Sequence, residues 1–209
     1  MSGTSMDGVD ASIIHSDGIT KYEAISNKYF EYNKELYKDL TGIRNKIATS
    51  KDLKILENEL KFIEKEITLF HVKAANEIIR KSETNIDFIG FHGQTIFHSA
   101  KEKISEQLGD GYLLSKHTKK TVIYNFRQND LKNGGQGAPL TPIFHKLLKN
   151  KYKLKLPLTI LNIGGVANVT FIDVHDNMAS YDIGPGNCLI DQWIRINSKN
   201  NYDKDGKIA

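Results

Sequence analysis

Cysteine is nearly missing from this chain of 209 residues: there is one, Cys188. That excludes an internal disulfide, leaves no second thiol for a zinc site and suits a reducing compartment. The side chain reads as a small buried filler. Long apolar runs are also absent, since nothing approaches the ~18 uninterrupted apolar residues of a membrane-spanning helix. Met1 is followed by Ser-Gly-Thr-Ser rather than by a basic start and an apolar stretch, so no secretory signal is read and the cytoplasm is the expected compartment. Charge of one sign is lacking too: 29 Lys and Arg stand against 25 Asp and Glu, a net +4. The lysines are spread beside acids along helical segments, which gives nucleic-acid binding little support. No internal repeat or low-complexity tract is visible.

What remains is an ordinary globular composition, 39% hydrophobic and 26% charged, long enough for one good-sized domain or one and a half smaller ones. Residues 10–15 and 22–30 read as strands around a turn at Ser16-Asp17-Gly18. A Gly-rich turn at residues 1–8 normally hangs between two paired strands, so the expectation is either that a preceding strand was lost or that the true start lies upstream. A helix is predicted from Asn33 to about Ile47. Leu53, Leu56, Leu60, Ile63, Ile67, Phe70, Ala74 and Ile78 fall on one helical face, predicting a single long helix over 52–81. Residues 86–91 and 121–126 read as buried strands, each followed by a polar motif, which is where open α/β sheets keep their sites. A short helix after Pro142 leads to a lysine-rich connector, 149–155, read as a domain boundary. Beyond it a hairpin (158–163 with 168–172), a strand near 179–182 and a helix capped by Asn187 are expected. The hairpin and that last helix should present uncovered apolar faces.

Five glycine-hinged polar segments could carry chemistry. In Gly3-Thr4-Ser5-Met6-Asp7-Gly8-Val9-Asp10 the glycines allow close backbone approach, Thr4 and Ser5 offer donors, and Asp7 could hold magnesium; alone, the pattern reads equally as a hairpin turn. His92 and Gln94, in Gly90-Phe91-His92-Gly93-Gln94-Thr95, can offer hydrogen bonds to a polyhydroxyl ligand or be structural. Arg127 could bind a carboxylate in two-pronged fashion, and the run Gly134-Gly135-Gln136-Gly137 could bring peptide groups against a sugar or form an ordinary loop. Asn162-Ile163-Gly164-Gly165-Val166-Ala167-Asn168 is the fourth. In the fifth, Asp182-Ile183-Gly184-Pro185-Gly186-Asn187, an aspartate at a strand end before a glycine turn is placed for general-base work or for capping.

In this order the segments resemble the anhydro-N-acetylmuramic acid kinases. The resemblance runs from Met1 to about Trp193 through GTSMDGVD (3–10), GFHGQT (90–95), QLGDGYLL (107–114), NFRQNDLKNGGQGAPLTP (125–142), LNIGGVANVT (161–170) and DIGPGN (182–187). It implies the α/β actin-like ATPase fold of sugar kinases and Hsp70, with a nearly complete first lobe over 1–155 and a truncated second lobe over 156–209. The implied reaction adds water across the 1,6-anhydro bridge of the sugar and transfers the ATP γ-phosphate to the oxygen at carbon 6, giving N-acetylmuramic acid 6-phosphate. By the same resemblance Asp182 is the base that activates water. Gly3, Thr4, Ser5, Met6, Asp7, Gly8, Val9 and Asp10 are the ATP phosphate loop, with magnesium at Asp7. His92, Gln94, Arg127, Gly135, Gln136 and Gly137 line the sugar side.

The chain departs from the family pattern at Asn125, where an aspartate is usual, at Ile183, where a threonine is usual, and in length. Half of a two-lobed clamp is expected to be nearly inactive alone, because misplacing reactants by about 1 Å costs about a hundredfold in rate. A separate polypeptide supplying the rest is the implied partner. The competing readings are a non-catalytic sugar-binding remnant and a kinase of the same fold for another sugar.

Overall fold

A computed structural model describes residues 1–3, 5–200 and 202–208. They fall into two compact units: Met1–His15 with Glu23–Ala138, and Ser16–Tyr22 with Pro139–Ala209. No helix among the described residues is long and apolar enough to cross a membrane.

The chain opens with a hairpin of β1 (Gly8–Ser16) and β2 (Tyr22–Glu31). Asn33 then starts α1 (Lys34–Lys46), its side-chain oxygen accepting the Leu36 N–H at 2.8 Å, which satisfies one of the free donors of the first turn. The stretch expected as one helix over 52–81 is two, α2 (Ser50–Ile55) and α3 (Glu57–Lys81), separated at Leu56. A capping box between Thr49 and Asp52 starts α2 early, and α2 has no fully buried residue, its Leu53 only partly buried against the core. α3 buries Leu60, Ile63, Ile67, Ala74 and Ile78. Of these, Leu60, Ile63, Ile67 and Ala74 join Val9, Leu36, Leu40, Ile43, Ile96 and Leu108 in the main core of the first unit.

β3 (Phe88–Phe91) and β6 (Thr121–Tyr124) pair in parallel, Phe88 opposite Thr121 and Phe91 opposite Tyr124. A parallel pair needs a long crossover, and here it consists of the antiparallel hairpin β4 (Gln94–Ser99) and β5 (Ile104–Leu108) followed by α4 (Gly111–Thr118). The expectation of fully buried strands is corrected: Phe88 and Ile123 are exposed. Two strands present two faces, and the second core cluster, Val72, Phe91 and Leu114 with Ile89 and Val122, covers one of them. A short helix, α5 (Gln128–Lys132), follows Arg127.

In the second unit α6 (Thr141–Tyr152) absorbs much of 149–155, so the lysine-rich stretch expected as a connector is largely the end of a helix. β7 (Leu158–Ile163), β8 (Val166–Ile172) and β9 (Met178–Pro185) form an antiparallel sheet, and α7 (Cys188–Asn197) follows. α6 is tied to the sheet through the buried His145, whose Nδ1 lies 2.8 Å from Thr170 Oγ1. Asn187 precedes α7 but makes no side-chain capping bond, and Cys188 is half-buried rather than buried.

Candidate active site

The opening loop of the first unit is held from below. Ser2 Oγ donates to Gly93 O at 3.1 Å, and Gln94 Nε2 donates to Gly3 O at 2.9 Å. Gln94 is fully buried and its Oε1 has no partner, so its amide braces the loop rather than facing open space. Met6 has a positive φ of 58° with its side chain in the core, a strained anchor for a loop that otherwise carries small residues. Gly8 cannot be replaced without movement, since an added Cβ would lie 2.4 Å from Phe30 O. Ser5 Oγ donates to Asp7 Oδ1 at 2.6 Å, while Val9 is buried and Asp10 exposed. Thr4 lies outside the described residues. Asp7 is half-buried and offers a hard carboxylate oxygen of the kind magnesium takes. No group of three or more His, Cys, Asp or Glu side chains among the described residues is placed to hold a metal.

The second and third segments meet at Arg127. His92 Nδ1–H donates to Gly93 O at 2.8 Å, which leaves Nε2 to accept from Arg127 Nε at 3.2 Å and Nη2 at 2.9 Å. Burial holds the His92 ring below the usual histidine range, with the Arg127 charge adding to it. Arg127 Nη1 donates to Gly137 O at 2.6 Å. Burial also lowers Arg127, and among the described residues no carboxylate lies within ion-pair distance of it. Asn125 has φ +64°, a left-handed conformation that asparagine tolerates well. The glycine loop folds over α5: Gly137 N–H donates to Asp130 Oδ2 at 2.7 Å and Gly135 N–H to Asp130 O at 2.8 Å. Gln136, between them, is exposed.

In the second unit the fourth and fifth segments join through backbone. Gly186 N–H donates to Gly165 O at 2.9 Å and Asn187 N–H to Gly164 O at 2.8 Å. Glycine is required at 186 because a Cβ there would lie 2.2 Å from Gly164 O. Asp182 is opposite the buried Asn168 and Gly184 opposite Ala167, so Ile183 is the extra residue of a β-bulge. Bulges re-aim side chains at strand ends, and Asp182 is exposed there. The five segments thus form two sets, one in each unit.

The family model described as anhydro-N-acetylmuramic acid kinase matches residues 1–209. The chain belongs to the anhydro-N-acetylmuramic acid kinase family. The anhydro-N-acetylmuramic acid kinase of Pelagibacter ubique is 55% identical over 211 residues, covering 100% of this chain and 56% of that relative. Those of Agrobacterium fabrum and Rhizobium etli are 38% and 37% identical, each over all of this chain and over 57% and 58% of their own lengths. The chain therefore spans little more than half of the curated relatives it matches. Its mixed α/β architecture accords with the actin-like sugar-kinase fold of the anhydro-N-acetylmuramic acid kinases. Sequence reasoning missed Glu64, Glu106, Gln107 and Gln128, which line a cavity beside His92. Their only signal is position: Glu64 on the otherwise solvated side of α3, Glu106 just before the motif at 107–114, and Gln107 and Gln128 inside motifs whose roles went to other residues.

Proposed function

We propose that this chain carries the phosphate loop and the acceptor-side residues of an ATP-dependent kinase that opens the 1,6-anhydro bridge of anhydro-N-acetylmuramic acid and phosphorylates it. Asp182 takes a proton from water, whose oxygen bonds to carbon 1 as the bridge oxygen leaves. The bridge oxygen, now on carbon 6, accepts the γ-phosphoryl group as its bond to the β–γ bridging oxygen breaks and ADP leaves. Magnesium, shared between Asp7 and the phosphates, would neutralise charge that builds in phosphoryl transfer. Residues 3–10 surround the phosphates, with Gln94 fixing Gly3. His92 and residues 135–137 face the sugar, and Arg127 receives its carboxylate. The observation that supports this reading best is the Gly137–Arg127–His92 chain, which holds a half-buried guanidinium among neutral partners and leaves its charge for a ligand.

Turnover requires the part of the relatives that this stretch does not span, which a separate polypeptide can supply. The test measures phosphate transfer from ATP to the anhydro-sugar by the chain alone, by the chain mixed with that remaining segment of the Pelagibacter ubique relative, and by the mixture carrying Asp182→Asn. Turnover is expected only in the unsubstituted mixture. Sugar binding without turnover in the mixture supports the sugar-binding remnant instead, and absence of both defeats the reading.

A further inference from the structure

The first unit holds a cavity of about 220 Å³ lined by Glu64, Glu106, Gln107, Gln128, Tyr124 and His92, among others. Two of its amides spend a donor on the protein. Gln107 Nε2 donates to Ser105 Oγ at 2.6 Å, and Gln128 Nε2 donates to Ser105 O at 2.6 Å. The amide oxygens of both remain as acceptors. Glu64 Oε1 accepts the Gly109 N–H at 3.0 Å. Elsewhere in the unit acids meet lysines: Glu77 with Lys28, Glu59 with Lys46, Glu57 with Lys61. Among the described residues neither Glu64 nor Glu106 has a cation within ion-pair distance. Burial pushes the Glu106 carboxyl up, and the Glu64 charge adds to this. A carboxylate withdrawn from water is costly unless donors meet it. The cavity therefore offers an acceptor-rich wall in search of hydrogen-bond donors.

His92 lines this cavity and, through Nε2, accepts from the Arg127 guanidinium. An acceptor wall and an uncompensated cation thus flank one imidazole. The matching ligand has hydroxyl and amide N–H donors on one side and a carboxylate on the other, the chemistry of an acidic N-acylated amino sugar. We propose that Glu64 and Glu106 are specificity-determining residues that accept hydrogen bonds from the hydroxyl and acetamido N–H groups of the acceptor sugar, while Arg127 takes its carboxylate. The assignment rests on the function proposed above.

The test is calorimetric binding, to the chain and to the complemented mixture, of anhydro-N-acetylmuramic acid and of 1,6-anhydro-N-acetylglucosamine, which lacks the carboxylate. Glu106→Ala is expected to weaken both sugars about tenfold, the scale of one hydrogen bond to a charged group. Glu106→Gln, which keeps shape and one acceptor, should lie between that variant and the parent; it also serves if the alanine variant misfolds. Arg127→Lys should weaken only the carboxylate-bearing sugar. If Glu106→Gln and Glu64→Gln bind both sugars as the parent does while Arg127→Lys still discriminates, the inference is overturned and the function stands. If the parent binds neither sugar in either form, both fall.

Discussion

His92 spends one ring nitrogen as donor and the other as acceptor, so its place between Gly93 and Arg127 suits only the neutral ring. His71 is more deeply buried, with Nδ1 bonded to Ile67 O at 2.8 Å, and burial pushes it down to about 4. Both rings take up a proton more readily in the unfolded chain. Stability is therefore complete above the ordinary histidine range and declines as pH falls from about 6.5 towards about 4, by up to roughly 3 kcal/mol for His71. Urea unfolding at a series of pH values should show that decline, and His71→Leu should flatten it. Arg127→Ala strands the His92 Nε2 acceptor and the Gly137 carbonyl and is expected to cost about 2 kcal/mol in the same measurement.

Among the elements, α4 owes its start to Asp110, whose Oδ1 accepts the Leu113 N–H at 2.9 Å. Asp110→Ala should cost about 1 kcal/mol, as N-cap removals do. The joint between the β7–β8 turn and the start of α7 is less forgiving, because Gly186→Ala places a methyl 2.2 Å from a carbonyl oxygen that cannot withdraw without breaking the Asn187 bond. A loss of about 1–3 kcal/mol is expected, with amide shifts confined to residues 164–165 and 186–188 in NMR spectra. Small shifts throughout the sheet instead would mean the turn repacks easily.

For the molecule, the exposed apolar surface of the second unit dominates. Leu189, Ile190, Trp193 and Ile196 of α7 are 57%, 56%, 57% and 73% exposed, and Leu161, Ile163, Tyr181 and Ile183 of the sheet are also exposed. Surfaces of this kind drive association. Light scattering behind a sizing column should find the isolated chain oligomeric, and Ile190→Lys with Trp193→Glu should shift it towards monomer. A sharp monomeric peak for the parent would count against the uncovered face.

The sequence alone carried the family, because six motifs in fixed order are specific where each is weak. It also carried β1, β2, α1 and the β7–β9 sheet, through apolar and β-branched runs bounded by turn residues and, in α1, the spacing of Leu36, Leu40 and Ile43 on one buried face. It did not carry the break at Leu56, the β4–β5 hairpin or the exposure of β3 and β6, since these depend on which neighbours arrive to cover a face. The same holds at the candidate site. Arg127 and His92 were visible as residue types, but the Gly137–Arg127–His92 chain and the cavity beside it exist only once residues far apart in the chain are folded together, because hydrogen bonding and desolvation act through space.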